Sequence, residues 1–310
     1  MRIAYTPTEL AADSSEQLTL TLGNFDGLHL GHQAVIAELV GSSKARRGTC
    51  VAVTFDPHPL SVIHPERAPQ LLTPLKERLD AMAGTGIDVT LVVDFTPEIA
   101  SEDASTFLRW LGVSRGSHLV LGYDFQMGRE RACDLSTLST MGAELGYGLD
   151  VVPPVEHGGL PISSSRIRES VARGDVQAAA AMLGRPYAVG GHVVQGSGVG
   201  RELGSATANL STPAEKLLPG DGVYFATVET MGGRPGLLYV GTRPTLDGGQ
   251  RVAEVHVLDF EGDLYGRELV VGVRKHLRGD AHFGSREELT RRISEDMERA
   301  RAIAGGRDEG

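Results

Sequence analysis

The sequence predicts an α/β protein in two parts: a doubly wound parallel sheet over residues 1–184, then a small antiparallel β-barrel with a C-terminal helix over residues 185–310. Three observations carry this. Apolar strand segments alternate with helical ones from Leu18 to about Val152, and such alternation means a parallel sheet with helices on both faces. Beyond Gly184-Arg185-Pro186, strand segments follow one another with only Gly, Pro and Asp turns between them. The last segment, 285–304, opens on a Ser N-cap followed by Glu287 and Glu288 and carries apolar Leu289, Ile293, Met297 and Ile303, the pattern of a closing helix.

In chain order, strands are expected at 18–22, 50–55, 89–94, 118–121 and 149–152, with helices near 30–46, 74–84, 102–112 and 134–146. Residues 163–183 read as two short helices broken at Arg173-Gly174-Asp175. The barrel strands are expected at 187–195, 222–229, 237–240, 252–259 and 269–274.

Composition bounds the function. The 310 residues suffice for two cores, with 41% hydrophobic and 23% charged residues in the range of soluble globular proteins. A formal net charge of −10 opposes nonspecific binding to nucleic acid or anionic membrane, so a phosphate site has to be built locally. Cys50 and Cys133 sit in no metal or redox spacing and are expected as free thiols in a reducing compartment. Without an apolar leader or a membrane-length apolar run, the expectation is a cytoplasmic protein, monomeric or a weak homo-oligomer, acting on small molecules.

The most informative stretch is Gly23-Asn24-Phe25-Asp26-Gly27-Leu28-His29-Leu30-Gly31-His32, directly after the first alternating strand. A helix start binds anions through its unpaired N–H groups and the positive end of its dipole. His29 and His32, three apart, share one face of that turn, and the glycines let backbone approach a ligand. Ser163, Ser164 and Ser165 with Arg166 and Arg168 form a second candidate, the serines capping a helix or binding phosphate oxygens and the arginines facing a leaving pyrophosphate. A glycine-rich loop with Gly196, Gly198, Gly200, Arg201 and Gly204 leads to Thr207 and Asn209, whose oxygens suit Mg²⁺. Each signal also has a plain structural reading: a strand-to-helix turn with surface histidines, a capping serine, an ordinary glycine turn.

Together these strings carry a resemblance. The histidine motif resembles the GxFDGxHxGH signature of nucleotidyltransferases in its FAD synthetase form, and Ile162–Arg168 resembles that family's ISSTxVR element. Phe55-Asp56-Pro57-His58-Pro59 resembles its TFDPHP turn, with Asp56 and His58 read either as flavin contacts or as parts of a rigid proline loop. Gly122–Gly128 resembles its GxDFxFG loop, which offers Asp124 as a site residue; Met127 replaces the usual Phe and Cys133 a usual Gly. Residues 196–209 resemble the riboflavin kinase signature GRxLGxPTAN, with Ser205-Ala206 where Phe-Pro is usual. Gly222-Val-Tyr224, Gly241–Thr245, Ala253–Phe260, Asp263–Gly266 and the Arg278–Phe283 segment follow in the family's order.

From about residue 17 to 303 the chain thus resembles the bifunctional riboflavin kinase/FMN adenylyltransferases, the bacterial FAD synthetases. The resemblance implies a nucleotidyltransferase domain that makes FAD from FMN and ATP, and a kinase barrel that makes FMN from riboflavin and ATP with Mg²⁺. It implies His29 and His32 as catalytic groups of the first reaction, Gly23, Asn24, Phe25, Asp26 and Gly31 as its phosphate loop, and Glu254 as the base of the second. The four departures leave open a paralogue acting on a flavin analogue or with a weakened kinase, and a flavin-binding module without catalysis.

Overall fold

The computed structural model describes residues 1–13, 17–195, 207–243, 250–281 and 284–306. By contacts the chain separates into two compact units, Met1–Ser164 and Ser165–Gly310. Among the described residues no helix is long and apolar enough to cross a membrane.

The first unit is built on a parallel sheet of β1 (Arg2–Ala4), β2 (Leu18–Leu22), β3 (Thr49–Asp56), β4 (Val89–Asp94), β5 (His118–Gly122) and β6 (Gly148–Val152), lying in the order β1-β4-β3-β2-β5-β6. The chain builds outward from β2 through β3 and β4 on one side, and through β5 and β6 on the other. The strand order therefore reverses between β2 and β5, and ligands bind beyond the carboxyl ends of strands at such a point. The edge strand β1, paired with β4, is not among the strands expected from the sequence. Its three residues are too few to show alternation.

Helices α1 (Leu30–Arg46), α2 (Pro59–Ile63), α3 (Leu75–Ala83), α4 (Pro97–Ser101), α5 (Ala104–Trp110) and α6 (Leu135–Leu145) follow the strands. Because strand side chains alternate, the sheet carries two cores. Cys50, Ala52 and Val120 pack with Val35, Ile36 and Leu39 of α1 and Met82 of α3. Leu20, Leu22, Val53, Leu91 and Leu119 pack with Phe107 and Leu108 of α5 and Leu138 of α6. Two helices start later than expected because an aspartate caps each: Asp103 accepts the Thr106 N–H and Asp134 that of Thr137, both at 2.9 Å. β7 (Glu156–His157) and β8 (Leu160–Pro161) form a short hairpin.

In the second unit, α7 (Ser164–Ala172) and α8 (Val176–Leu183) precede a closed antiparallel barrel. Its strands are β9 (Tyr187–Val194), β10 (Thr207–Ser211), β11 (Gly222–Val228), β12 (Arg234–Arg243), β13 (Gln250–Val257) and β14 (Glu268–Gly279), in the order β10-β13-β12-β11-β14-β9. Tyr224, Ala226, Leu238, Val240, Val255 and Val271 are buried on one face of these strands. On the other, Val223, Phe225, Leu237 and Leu277 pack against Met297, Ala300 and Ile303 of α9 (Arg286–Ala304). No strand was expected over 207–211; Thr207 and Asn209, to which the glycine-rich segment leads, stand on β10, which closes the barrel by pairing with both β9 and β13.

Candidate active sites

The turn between β2 and α1 lies at the carboxyl edge of the sheet, at the reversal point. Phe25 and Leu28 hold left-handed backbone, with φ of 50° and 41°, and both are buried. Residues with side chains persist there only when their surroundings hold them. The Phe25 ring meets His32 edge-on at 5.3 Å, and a Cβ at Gly23 would come within 3.2 Å of the same ring. Gly23 thus leaves the space that Phe25 fills.

His29 is the N-cap of α1. Its Nδ1 accepts the His32 N–H at 3.2 Å, and the two rings stack with centroids 3.6 Å apart at 17°. With Nδ1 accepting, a neutral His29 carries its proton on Nε2, a donor suited to a phosphate oxygen. A Cβ at Gly31 would stand 3.1 Å from the His29 ring, so this glycine lets the ring fold over the helix start.

Asp26 is placed differently from the phosphate-contact role the sequence reading assigns it. Its carboxylate is buried and accepts the Leu72 N–H at 3.1 Å, the Thr73 N–H at 2.8 Å and the Thr73 hydroxyl at 3.2 Å. The Thr73 hydroxyl accepts the Gly27 N–H in return at 2.8 Å, and Ser164 donates to the Asp26 carbonyl at 2.9 Å. Asp26 therefore shapes the turn from beneath. Asn24 lies 3.2 Å from His58 Nε2, while His58 Nδ1 caps α2 by accepting the Leu60 N–H at 3.2 Å. The group of Asn24 that faces this Nε2 is its amide nitrogen, Nδ2. Asp56 closes β3 at the cis Asp56–Pro57 bond, with Arg78 at 3.7 Å.

Asp124 is exposed in the loop after β5, while Phe125 and Met127 pack on the core. Met127 and Cys133 face each other in a two-way backbone pair, N···O 2.9 and 3.1 Å. The two departures from the family pattern in this loop are thus neighbours. Ser163 precedes α7; Ser165 on its first turn is exposed, and Arg166 and Arg168 are half-buried. Two residues apart, these arginines point to different sides of the helix.

On the barrel, Glu254 of β13 stands in register with Asn209 of β10 on one side and Tyr239 of β12 on the other. Thr207 is in register with His256. Asn209, Glu254 and Tyr239 are half-buried, whereas Ala253 and Val255 on either side of Glu254 along β13 are buried, so this row lies on the face that α9 partly covers. The Tyr239 hydroxyl donates to Asp280 at 3.2 Å; burial, then Asp280 and Glu254, pushes it up to about 12. Arg278 grips Asp296 of α9 through Nε and Nη2, the shortest contact being 2.8 Å. Gly196, Gly198, Gly200, Arg201, Gly204, Ser205, Ala206, Pro244, Thr245 and Phe283 lie outside the described residues. Among the described residues no group of three or more His, Cys, Asp or Glu is arranged to hold a metal.

Thr73, Arg78 and Tyr239 were not singled out from the sequence. A Thr-Pro before a helix and an arginine inside one are ordinary surface patterns, and only the fold buries them.

A family model for FAD synthetase matches residues 11–166, and one for riboflavin kinase matches residues 183–304. The chain is 36% identical over 300 residues to the bifunctional riboflavin kinase/FMN adenylyltransferase of Escherichia coli K12, covering 96% of each chain. It is 37% identical over 291 residues to the same-named protein of Pseudomonas fluorescens, covering 92% of each, and 32% identical over 302 residues to that of Bacillus subtilis, covering 95% of each. A solved structure described as a macrolide-efflux protein from Streptococcus pneumoniae superposes with a TM-score of 0.86 at 28% identity, covering 96% of this chain and 98% of that one. With both domains matched in order and the relatives aligned almost end to end, the chain belongs to the bifunctional riboflavin kinase/FMN adenylyltransferase family.

Proposed function

We propose that the chain makes FAD in two steps: it phosphorylates riboflavin to FMN with ATP, then adenylylates FMN with a second ATP and releases pyrophosphate. Residues 1–184 carry the second reaction and residues 185–310 the first. The observation that carries the adenylyl-transfer reading is His29, capping α1 at the reversal point of the sheet with its ring stacked on His32.

In that reaction an FMN phosphate oxygen attacks the α-phosphorus of ATP as the bond to pyrophosphate breaks. His29, through Nε2–H, and His32 neutralise charge developing on the α-phosphate and bridging oxygens, together with the N–H groups opening α1. Ser163, Ser164, Ser165, Arg166 and Arg168 serve the pyrophosphate side, and Asp56, His58 and Asp124 the flavin side. On the barrel, Glu254 takes the proton of the riboflavin 5′-hydroxyl as that oxygen attacks the γ-phosphorus and ADP leaves. The glycine loop 196–204 cradles the triphosphate, and Thr207 and Asn209 offer oxygens of the kind Mg²⁺ prefers. Bound Mg²⁺ supplies charge neutralisation on the triphosphate. A net charge of −10 opposes nonspecific binding to nucleic acid or anionic membrane, and we read the chain as a cytoplasmic monomer or weak homo-oligomer working on free small molecules.

The test is incubation with riboflavin, ATP and Mg²⁺ followed by chromatographic separation of flavins. Successive appearance of FMN and FAD is expected; bound but unchanged riboflavin would overturn the proposal.

A further inference from the structure

Arg78 of α3 is one of the largest fully buried side chains of the protein, at 1% exposure. A guanidinium so placed is costly unless its donors are used. Nη1 donates to the Asn24 carbonyl at 2.7 Å and Nη2 to the Phe55 carbonyl at 3.0 Å. The first carbonyl belongs to the phosphate turn after β2, the second to the end of β3, one residue before Asp56. Nε makes no hydrogen bond, so the two terminal nitrogens carry the contact.

Those carbonyls lie where the parallel ladder runs out. The Gly23 N–H still reaches the Val53 carbonyl at 3.1 Å; beyond that the two loops part toward α1 and α2. Thr54 adds a donor to the Asn24 carbonyl at 3.2 Å, and the Asn24 side chain meets His58 across the same gap. Asp26 and Asp56 favour the charged guanidinium against the burial that lowers its pKa. A methionine would fill the same volume without that desolvation cost, but it would remove the Arg78 donor from both carbonyls, leaving the Asn24 carbonyl with Thr54 alone and breaking the link to Phe55.

We infer that Arg78 is a positioning residue for adenylyl transfer, its two-nitrogen bridge between the Asn24 and Phe55 carbonyls setting the spacing between the histidine turn and the Asp56–His58 turn. The inference rests on the proposed formation of FAD in the first unit. A shift of about 1 Å between reacting groups costs roughly 100-fold in rate, and that spacing is what the bridge controls.

Full-length R78M and R78K are compared with wild type for FAD formation from FMN, with FMN formation from riboflavin and the thermal transition as measures of folding. R78M is expected to lower kcat for FAD formation roughly 10- to 100-fold, with little change in KM and an unchanged kinase rate. R78K, which keeps the charge but offers one nitrogen in place of the rigid two-nitrogen fork, is expected to fall between the two. A wild-type kcat in either folded variant, or a loss confined to KM, overturns the inference. If R78M does not fold, R78K alone decides by the same criterion. A wild-type chain that converts riboflavin to FMN but never FMN to FAD removes the functional reading beneath the inference.

Discussion

The two candidate sites are built in opposite ways. In the first unit the chemistry sits in a turn whose shape is set by buried groups: Asp26 below it, Phe25 wedged into it and His29 capping the helix that follows. On the barrel, Asn209, Glu254 and Tyr239 form a half-buried row across three strands, and the ladder sets their register. A turn at the end of a parallel sheet has no ladder to define it and needs side chains as struts. A strand face needs none. Substitutions in the first site should therefore couple activity to stability, whereas those in the second should separate them.

The largest expected effect tests the partition itself. Glu254→Gln should lower FMN formation by roughly 10²- to 10⁴-fold, the range of general-base contributions, and leave FAD formation from added FMN untouched. A wild-type kinase rate would remove Glu254 as the base. His32→Ala should do the reverse, costing FAD formation roughly 10²- to 10³-fold, the scale of one lost transition-state donor, with FMN formation preserved. Loss of both activities in a folded protein would break the partition.

The coupling is sharpened by Asp26→Ala against Asn209→Ala. The first strips partners from buried N–H groups and should cost about 1–3 kcal/mol of stability, read by denaturant unfolding, along with FAD formation. The second should weaken the kinase with a stability change within about 0.5 kcal/mol. Equal unfolding midpoints for the two would erase the contrast.

Gly148→Ala gives the smallest activity effect. Its Cβ would stand 2.2 Å from His118 Nδ1, a ring held by Asp150 at 2.6 Å at the amino end of the sheet, away from the turn. Overpacking of about 1–3 kcal/mol is expected, with both product rates retained once the protein is folded. A fall in FAD formation would mean that stability anywhere in the first unit, rather than the struts of the turn, governs the site.

The fold was legible in the sequence where periodicity runs long. Leu18–Leu22 and Thr49–Asp56 announce themselves as strands, and the apolar positions of Arg286–Ala304 mark the last helix. β1 was hidden by its brevity, and β10 because Thr207–Ser211 reads as ligand chemistry before it reads as a strand. At the sites, residue type offered the histidines as candidates and the family resemblance offered Glu254, neither with direction. An aspartate beside a phosphate loop looks the same whether it faces the ligand or, like Asp26, the N–H groups of Leu72 and Thr73. Arg78 in Leu75–Ala83 looked like one more charge on a helix; nothing local says that it points inward. Met127 and Cys133, two separate oddities in sequence, prove to be paired, so a shrunken aromatic and an enlarged glycine position meet at one place.

The grip of Leu72, Thr73 and Arg78 on the turn has a consequence for anyone who would transplant it. The ten residues from Gly23 to His32 look like a portable cassette, short, contiguous and chemically complete. Their conformation is nonetheless underwritten some fifty residues downstream, by separations of 46 to 54 positions along the chain. Moved alone to another scaffold, the string would arrive as a list of side chains without its shape; moved with Leu72–Arg78, it would arrive as a device.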